Sequence, residues 1–384
     1  MTSKLPHLET SIFTLISQQA QAAGAINLSQ GFPDFPVDPL LVEMHQEVLH
    51  QNCHQYTPMS GLPKLLDQLA DTIQRHYGRK LQPATELLVT AGATQGLFAT
   101  LTALVHQGDE VVLFDPAYDC YETPIILCGA KPIHIPLAHD FAPDWELIYR
   151  KISPKTKWMV INNPHNPSGY VWTAADFTEL LALAEKHPQL HFLFDEVYEF
   201  ITFNKPHLSG HQLEQLQNRL VVVSSFGKSL HITGWKIGYV AAAASLMAEI
   251  KKVHQFMVFS VNSLGQHTLS AYLDQKPLGS AAALYQPKRD LFRAGLQDTG
   301  WELLSCEGSY FQVASYQAFS AEPDRAFCTR LIEEAGVACI PLSVFYEDRL
   351  DLKRVRFCFA KTDQTLQAAI EKLQQWSNLN LKNT

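Results

Sequence analysis

The chain has 384 residues, 46% of them hydrophobic and 18% charged, with a formal net charge of -8. That balance suits a globular enzyme of about two domains and excludes disordered and fibrous classes. The acidic excess argues against a general nucleic-acid binder, so small-molecule partners are expected and nucleic acid is not. No apolar run approaches the roughly 18 residues that span a bilayer, and the Gln-, Glu- and Ser-rich N-terminus has no signal-peptide core, so neither a membrane nor export is expected. Cys53, Cys120, Cys128, Cys306, Cys328, Cys339 and Cys358 form no C-x-x-C pair and read as reduced core thiols, consistent with the cytoplasm. His50 and His54 have helical spacing but no flanking acidic ligand, so no metal is expected there.

An arm of about 40 residues comes first. From about residue 64 to 270 helix-like and strand-like segments then alternate. Glu86 to Thr90 reads as a strand, followed by Gly92-Ala93-Thr94 and an apolar helix through Val105. Strands are expected at Glu110 to Phe114, Lys131 to Pro136, Lys157 to Ile161, His191 to Phe194, Leu220 to Ser224 and Lys236 to Ala242. Helices are expected from Tyr121, over Asp144 to Ile152, over Ala174 to Lys186 and from Leu246. This alternation predicts an α/β fold, with a mainly parallel sheet covered by helices on both faces. The arm and the tail should join into a smaller domain, with tail strands at Tyr310 to Val313 and Val355 to Phe359. The expected division is 1–40 (arm and part of the small domain), 41–275 (large domain) and 276–384 (small domain).

The most informative segment is Val221-Val222-Val223-Ser224-Ser225-Phe226-Gly227-Lys228, a buried-strand pattern that ends on one lysine. Burial disfavours an ammonium and leaves a nucleophilic amine. Three chemistries compete with an ordinary surface lysine. A P-loop needs a glycine five residues before Gly227, where Val222 stands, and the S-x-x-K of serine acyl-enzymes lacks its K-T-G. A lysine that traps an aldehyde cofactor remains.

Ligands of open α/β sheets bind outside the carboxyl ends of the strands, and the chemistry-bearing residues cluster there. Gly92-Ala93-Thr94 opens a helix whose free N–H groups suit a phosphate. Tyr118 offers a flat face, Asn166 sits in the turn Asn162 to Gly169, and Asp195 leaves an apolar strand three residues before Tyr198. Asp195 is the hardest to read as structural, because a carboxylate there is costly without a cation or donor. Together these are the parts that pyridoxal 5'-phosphate requires.

Gly92-Ala93-Thr94, Asn162 to Gly169, Asp195-Glu196-Val197-Tyr198 and Ser224 to Lys228 with Thr233-Gly234-Trp235-Lys236 resemble, in order and spacing, the fold-type I pyridoxal-phosphate aminotransferases of class I and II. Asn27 to Phe35 and Gln55 to Gly61 most resemble the branch of bacterial methionine aminotransferases and kynurenine aminotransferases. The resemblance implies a seven-stranded sheet in the large domain and a smaller α+β domain built from both termini. Lys228 would be the internal-aldimine lysine and proton shuttle. Asp195 would face the pyridinium nitrogen, Asn166 and Tyr198 the phenolic oxygen, and Tyr118 the ring. Ala93, Thr94, Ser225 and Lys236 would hold the phosphate, with Tyr56 crossing from the partner in a homodimer. Arg356, Gly31 and Asn166 would bind the substrate, and Phe13, Tyr56, Tyr118 and Phe259 would line its side-chain pocket. The implied reaction is ping-pong transamination of methionine and aromatic amino acids with a 2-oxo acid. A C–S lyase or a kynurenine aminotransferase of the same fold is the alternative. Phe13 in place of a frequent tryptophan, and Leu342 in place of a frequent glycine, weaken the kynurenine reading.

Overall fold

A computed structural model describes residues 3–6 and 11–381; the outermost parts of the expected terminal domains, residues 1–2, 7–10 and 382–384, lie outside the described residues. The strands, in chain order, are Ile26–Asn27 (β1), Leu87–Thr90 (β2), Glu110–Asp115 (β3), Lys131–Pro136 (β4), Thr156–Asn162 (β5), His191–Asp195 (β6), Leu220–Ser225 (β7), Gly238–Ala242 (β8), Glu302–Leu303 (β9), Phe311–Ser315 (β10), Val337–Ala338 (β11), Ile340–Pro341 (β12) and Arg354–Cys358 (β13). Seven of them form the large sheet in the order β2-β8-β7-β6-β5-β3-β4. β8 runs antiparallel to β2 and β7, and every other pairing is parallel. The α/β class and the mainly parallel sheet are therefore as expected.

The central strands are continuous apolar runs because helices cover both faces. Leu193, Val221, Val223 and Val240 pack into one core layer with Leu97 and Leu101, and Phe192, Phe194 and Val222 pack into another with Phe177 and Leu180. Boundaries differ from expectation at the strand ends, where side chains acquire partners. β8 starts at Gly238 rather than Lys236, because Lys236 adopts a left-handed φ of 56°. β6 extends through Asp195, whose carbonyl accepts from Asn162 Nδ2.

A second, antiparallel sheet has the order β12-β13-β10-β9. The N-terminal β1 pairs in parallel with β11, Ile26 opposite Val337. Ile16 and Leu28 share a core with Phe311, Val355 and Leu373, so both ends of the chain contribute to one apolar cluster. Among the described residues no helix is long and apolar enough to cross a membrane.

Candidate active site

The carboxyl ends of β2, β5, β6 and β7 open into a cavity of about 280 Å³ between the two sheets. Lys228 lies one turn beyond β7, in the short helix Phe226–Ser229, whose N-cap Ser225 accepts from Gly227 N–H through Oγ at 3.0 Å. The Lys228 side chain is half-buried in the cavity, and desolvation pulls its pKa down to about 8. Its Nζ donates to Gly31 O at 3.3 Å and lies 5.7 Å from the ring centres of both Tyr198 and Tyr310.

Asp195 ends β6 at 3% exposure, and burial raises its pKa to about 6. Tyr121 Oη donates to its Oδ2 at 2.6 Å, and the Val197 N–H reaches its Oδ1 at 3.3 Å. Asn162 Oδ1 accepts from the Asn166 N–H at 2.7 Å, which fixes the turn that presents the Asn166 side chain.

Arg356 leaves β13 at 1% exposure. Its Nη1 donates to Asn166 Oδ1 at 2.8 Å and its Nη2 to Ser29 O at 3.0 Å, while the guanidinium lies 3.9 Å from the ring centre of Phe311. Its buried Nε has no hydrogen-bond partner among the described residues. An orphaned charged donor in a cavity is costly unless an anion meets it.

The opposite end of the cavity suits a phosphate. The helix Gly92–Leu104 has no side-chain cap at its N-terminus, so the amides of its first turn are free of one. A Cβ on Gly92 would lie 3.4 Å from Lys236 Nζ, which places that ammonium against the start of the helix. A Cβ on Gly238 would lie 2.7 Å from Ser224 O and 2.8 Å from Ala93 N, so only glycine lets β8 pass so close to both segments.

The cavity brings together Phe13, Gly31, Ala93, Thr94, Tyr118, Asn166, Asp195, Tyr198, Ser225, Lys228, Lys236 and Arg356. It does not bring in Tyr56 or Phe259. Those two pack edge to face on each other with centroids 5.3 Å apart and remain 78% and 50% exposed. Sequence reasoning missed Tyr121, Asn162, Tyr310 and Phe311. Tyr121 follows Tyr118 by three residues, a spacing that was legible, whereas its partner Asp195 is 74 residues away. Tyr310 donates to Gly31 O at 2.6 Å, a contact across 279 residues with no local signal.

The family model of class I and II aminotransferases matches residues 23–373. This chain belongs to that family. The aminotransferase is 44% identical to the methionine aminotransferase of Escherichia coli strain K12 over 97% of each protein. It is 30% identical to rat kynurenine–oxoglutarate transaminase 1 over 98% of each. The crystal structure of YbdL from Escherichia coli, whose reactivity identifies a methionine aminotransferase function, matches with a TM-score of 0.94 at 44% identity, covering 98% of this chain and 99% of that one. Transamination with pyridoxal 5'-phosphate is the family's chemistry and this enzyme's. The residues fit that cofactor: a depressed-pKa lysine, a buried carboxylate and an uncapped helix end beside Lys236 all face one cavity.

Proposed function

We propose that this aminotransferase moves the amino group of methionine and of aromatic L-amino acids to a 2-oxo acid. The observation that carries this reading is Arg356 caged by Phe13, Phe311 and Phe345 in the same cavity as Lys228. The aromatic residues in the lining, Phe13, Tyr118 and Phe311, suit an unbranched thioether or an aryl side chain, and Arg356 is the only arginine among the described lining residues. Among these lining residues of the chain, a second carboxylate on the substrate therefore meets no second guanidinium.

Bound pyridoxal 5'-phosphate supplies an aldehyde and an electron-accepting ring. Lys228 would hold the aldehyde and, as a free amine, would take the proton from the substrate Cα. Its pKa of about 8 keeps a useful fraction neutral near physiological pH. Asp195 would hold the ring-nitrogen end of the cofactor and keep it protonated. Asn166 and Tyr198 would hold the phenolic oxygen, and Tyr118 would offer its ring as a stacking face. Ala93, Thr94, Ser225 and Lys236 would hold the phosphate. Arg356, with Asn166 and the Gly31 backbone, grips the α-carboxylate and so turns the Cα–H bond toward the ring face.

Tyr56 and Phe259 belong to this reading as residues given to a second copy of the chain in a homodimer. Their mutual packing and exposure on this chain support that role. The division into 1–40, 41–275 and 276–384 is supported by the separation of the seven-stranded sheet from the two smaller sheets, and a cytoplasmic setting by seven free cysteines.

A panel of amino donors against several oxo acids tests the proposal. Methionine, phenylalanine and tyrosine should be accepted and aspartate should lag. Aspartate as the preferred donor would overturn it. So would pyruvate and ammonia released from cysteine conjugates without amino transfer.

A further inference from the structure

Asp195 is held by a residue that no sequence motif pointed to. Tyr121 sits where the Tyr118 loop turns into the helix Glu122–Leu127, is 3% exposed, and lines the cavity. Its Oη donates to Asp195 Oδ2 at 2.6 Å, and its ring meets Tyr118 at 78° with centroids 5.8 Å apart. One side chain therefore touches both the carboxylate and the aromatic platform. The two carboxylate oxygens are held unequally, since Oδ1 receives only the longer 3.3 Å amide of Val197.

We propose that Tyr121 is a positioning residue for the reaction: its phenol fixes the Asp195 carboxylate and weakens its basicity, leaving the shared proton on the cofactor ring nitrogen. The inference rests on the assignment of Asp195 to that nitrogen. A hydrogen bond donated to a carboxylate stabilises its ionised form more than its neutral form. Deleting the phenol makes Asp195 the stronger base, draws the proton toward the carboxylate, and weakens the ring as an electron acceptor. The other groups acting on Asp195 are Lys228, which favours its ionised form, and Glu196, which opposes it; Cys120, Tyr118 and Tyr198 also lie within its field, all with pKa values raised by burial. Tyr121 is the only side chain that donates a hydrogen bond to the carboxylate among the described residues.

The test uses Tyr121→Phe, which keeps the ring, Asp195→Asn, and the double variant, each as the full chain. In the cofactor-stripped proteins, chemical denaturation is measured at pH 5 and pH 8. Asp195 is neutral at the lower pH and ionised at the higher. Tyr121→Phe should lower the folding equilibrium constant about tenfold more at pH 8 than at pH 5, the difference between bonds to charged and neutral acceptors. In the Asp195→Asn background that pH dependence should vanish. In the loaded enzyme, Tyr121→Phe should lower kcat with little change in KM and enlarge the isotope effect of a Cα-deuterated donor. An equal stability loss at both pH values, or the same pH dependence without Asp195, would overturn the inference. Normal turnover in Asp195→Asn would instead sink the assignment of Asp195, so the two failures are distinguishable.

Discussion

Arg356→Lys is the sharpest test of how the substrate is gripped. A guanidinium has five donors in a rigid fork. In this structure one goes to Asn166 Oδ1 at 2.8 Å and one to Ser29 O at 3.0 Å, and Nε has no partner among the described residues. The ring of Phe311, 3.9 Å away, fixes the plane of the fork, so three N–H groups remain, enough for a paired contact with a carboxylate. Lysine keeps the charge but offers no fork. It cannot hold Asn166, Ser29 and both carboxylate oxygens together. One charge-assisted bond is lost, at roughly 1.5–3 kcal/mol, and a buried acceptor is left unsatisfied at roughly 1–3 kcal/mol. The expected total of about 2.5–6 kcal/mol lowers kcat/KM by roughly two to four orders of magnitude. Steady-state kinetics with methionine and phenylalanine measure this, while the absorption band of the lysine-bound cofactor should stay unchanged. A loss in kcat/KM of less than about fivefold would refute the reasoning.

Four further outcomes follow from the geometry. Acylation of Lys228 in the cofactor-stripped protein should rise with pH around 8, because burial lowers its pKa from the usual lysine value, and mass spectrometry of the labelled peptide reads it; a midpoint near 10 would contradict the desolvated site. The same shift makes a protonated Lys228 a destabilising group whose cost shrinks as pH rises from about 8 toward 10.5, so Lys228→Met should raise the Tm of the cofactor-free protein at pH 7 while abolishing the cofactor band. Gly238→Ala should destabilise by roughly 1–3 kcal/mol and weaken cofactor binding, since the new methyl would lie 2.7 Å from Ser224 O. Mixing inactive Tyr56→Ala and Lys228→Ala subunits should restore activity if Tyr56 completes a neighbour's site, and should restore none if each chain is self-sufficient.

Most of the sheet was legible because buried parallel strands are long apolar runs with few alternative readings. The residues at their ends were legible as well, since Asp195 and Lys228 each break an apolar pattern at a cost that only a partner offsets. What stayed hidden depends on distant pairing. The Tyr310 phenol and the Lys228 amine converge on the Gly31 carbonyl from separate parts of the chain. The left-handed backbone of Lys236, which delays β8 by two residues, carries no composition signal. Tyr56 and Phe259 read as pocket residues in sequence, yet on this chain they stay exposed and pack edge to face on each other. A single chain's pattern holds no information on the surface that would complete them.

The most direct measurement is a single turnover of the loaded enzyme with methionine and no oxo acid. One equivalent of the 2-oxo acid per subunit, no ammonia, and complete loss of product in Lys228→Ala are expected. Continued ammonia release, or product formation that survives Lys228→Ala, would contradict a lysine-centred aminotransferase.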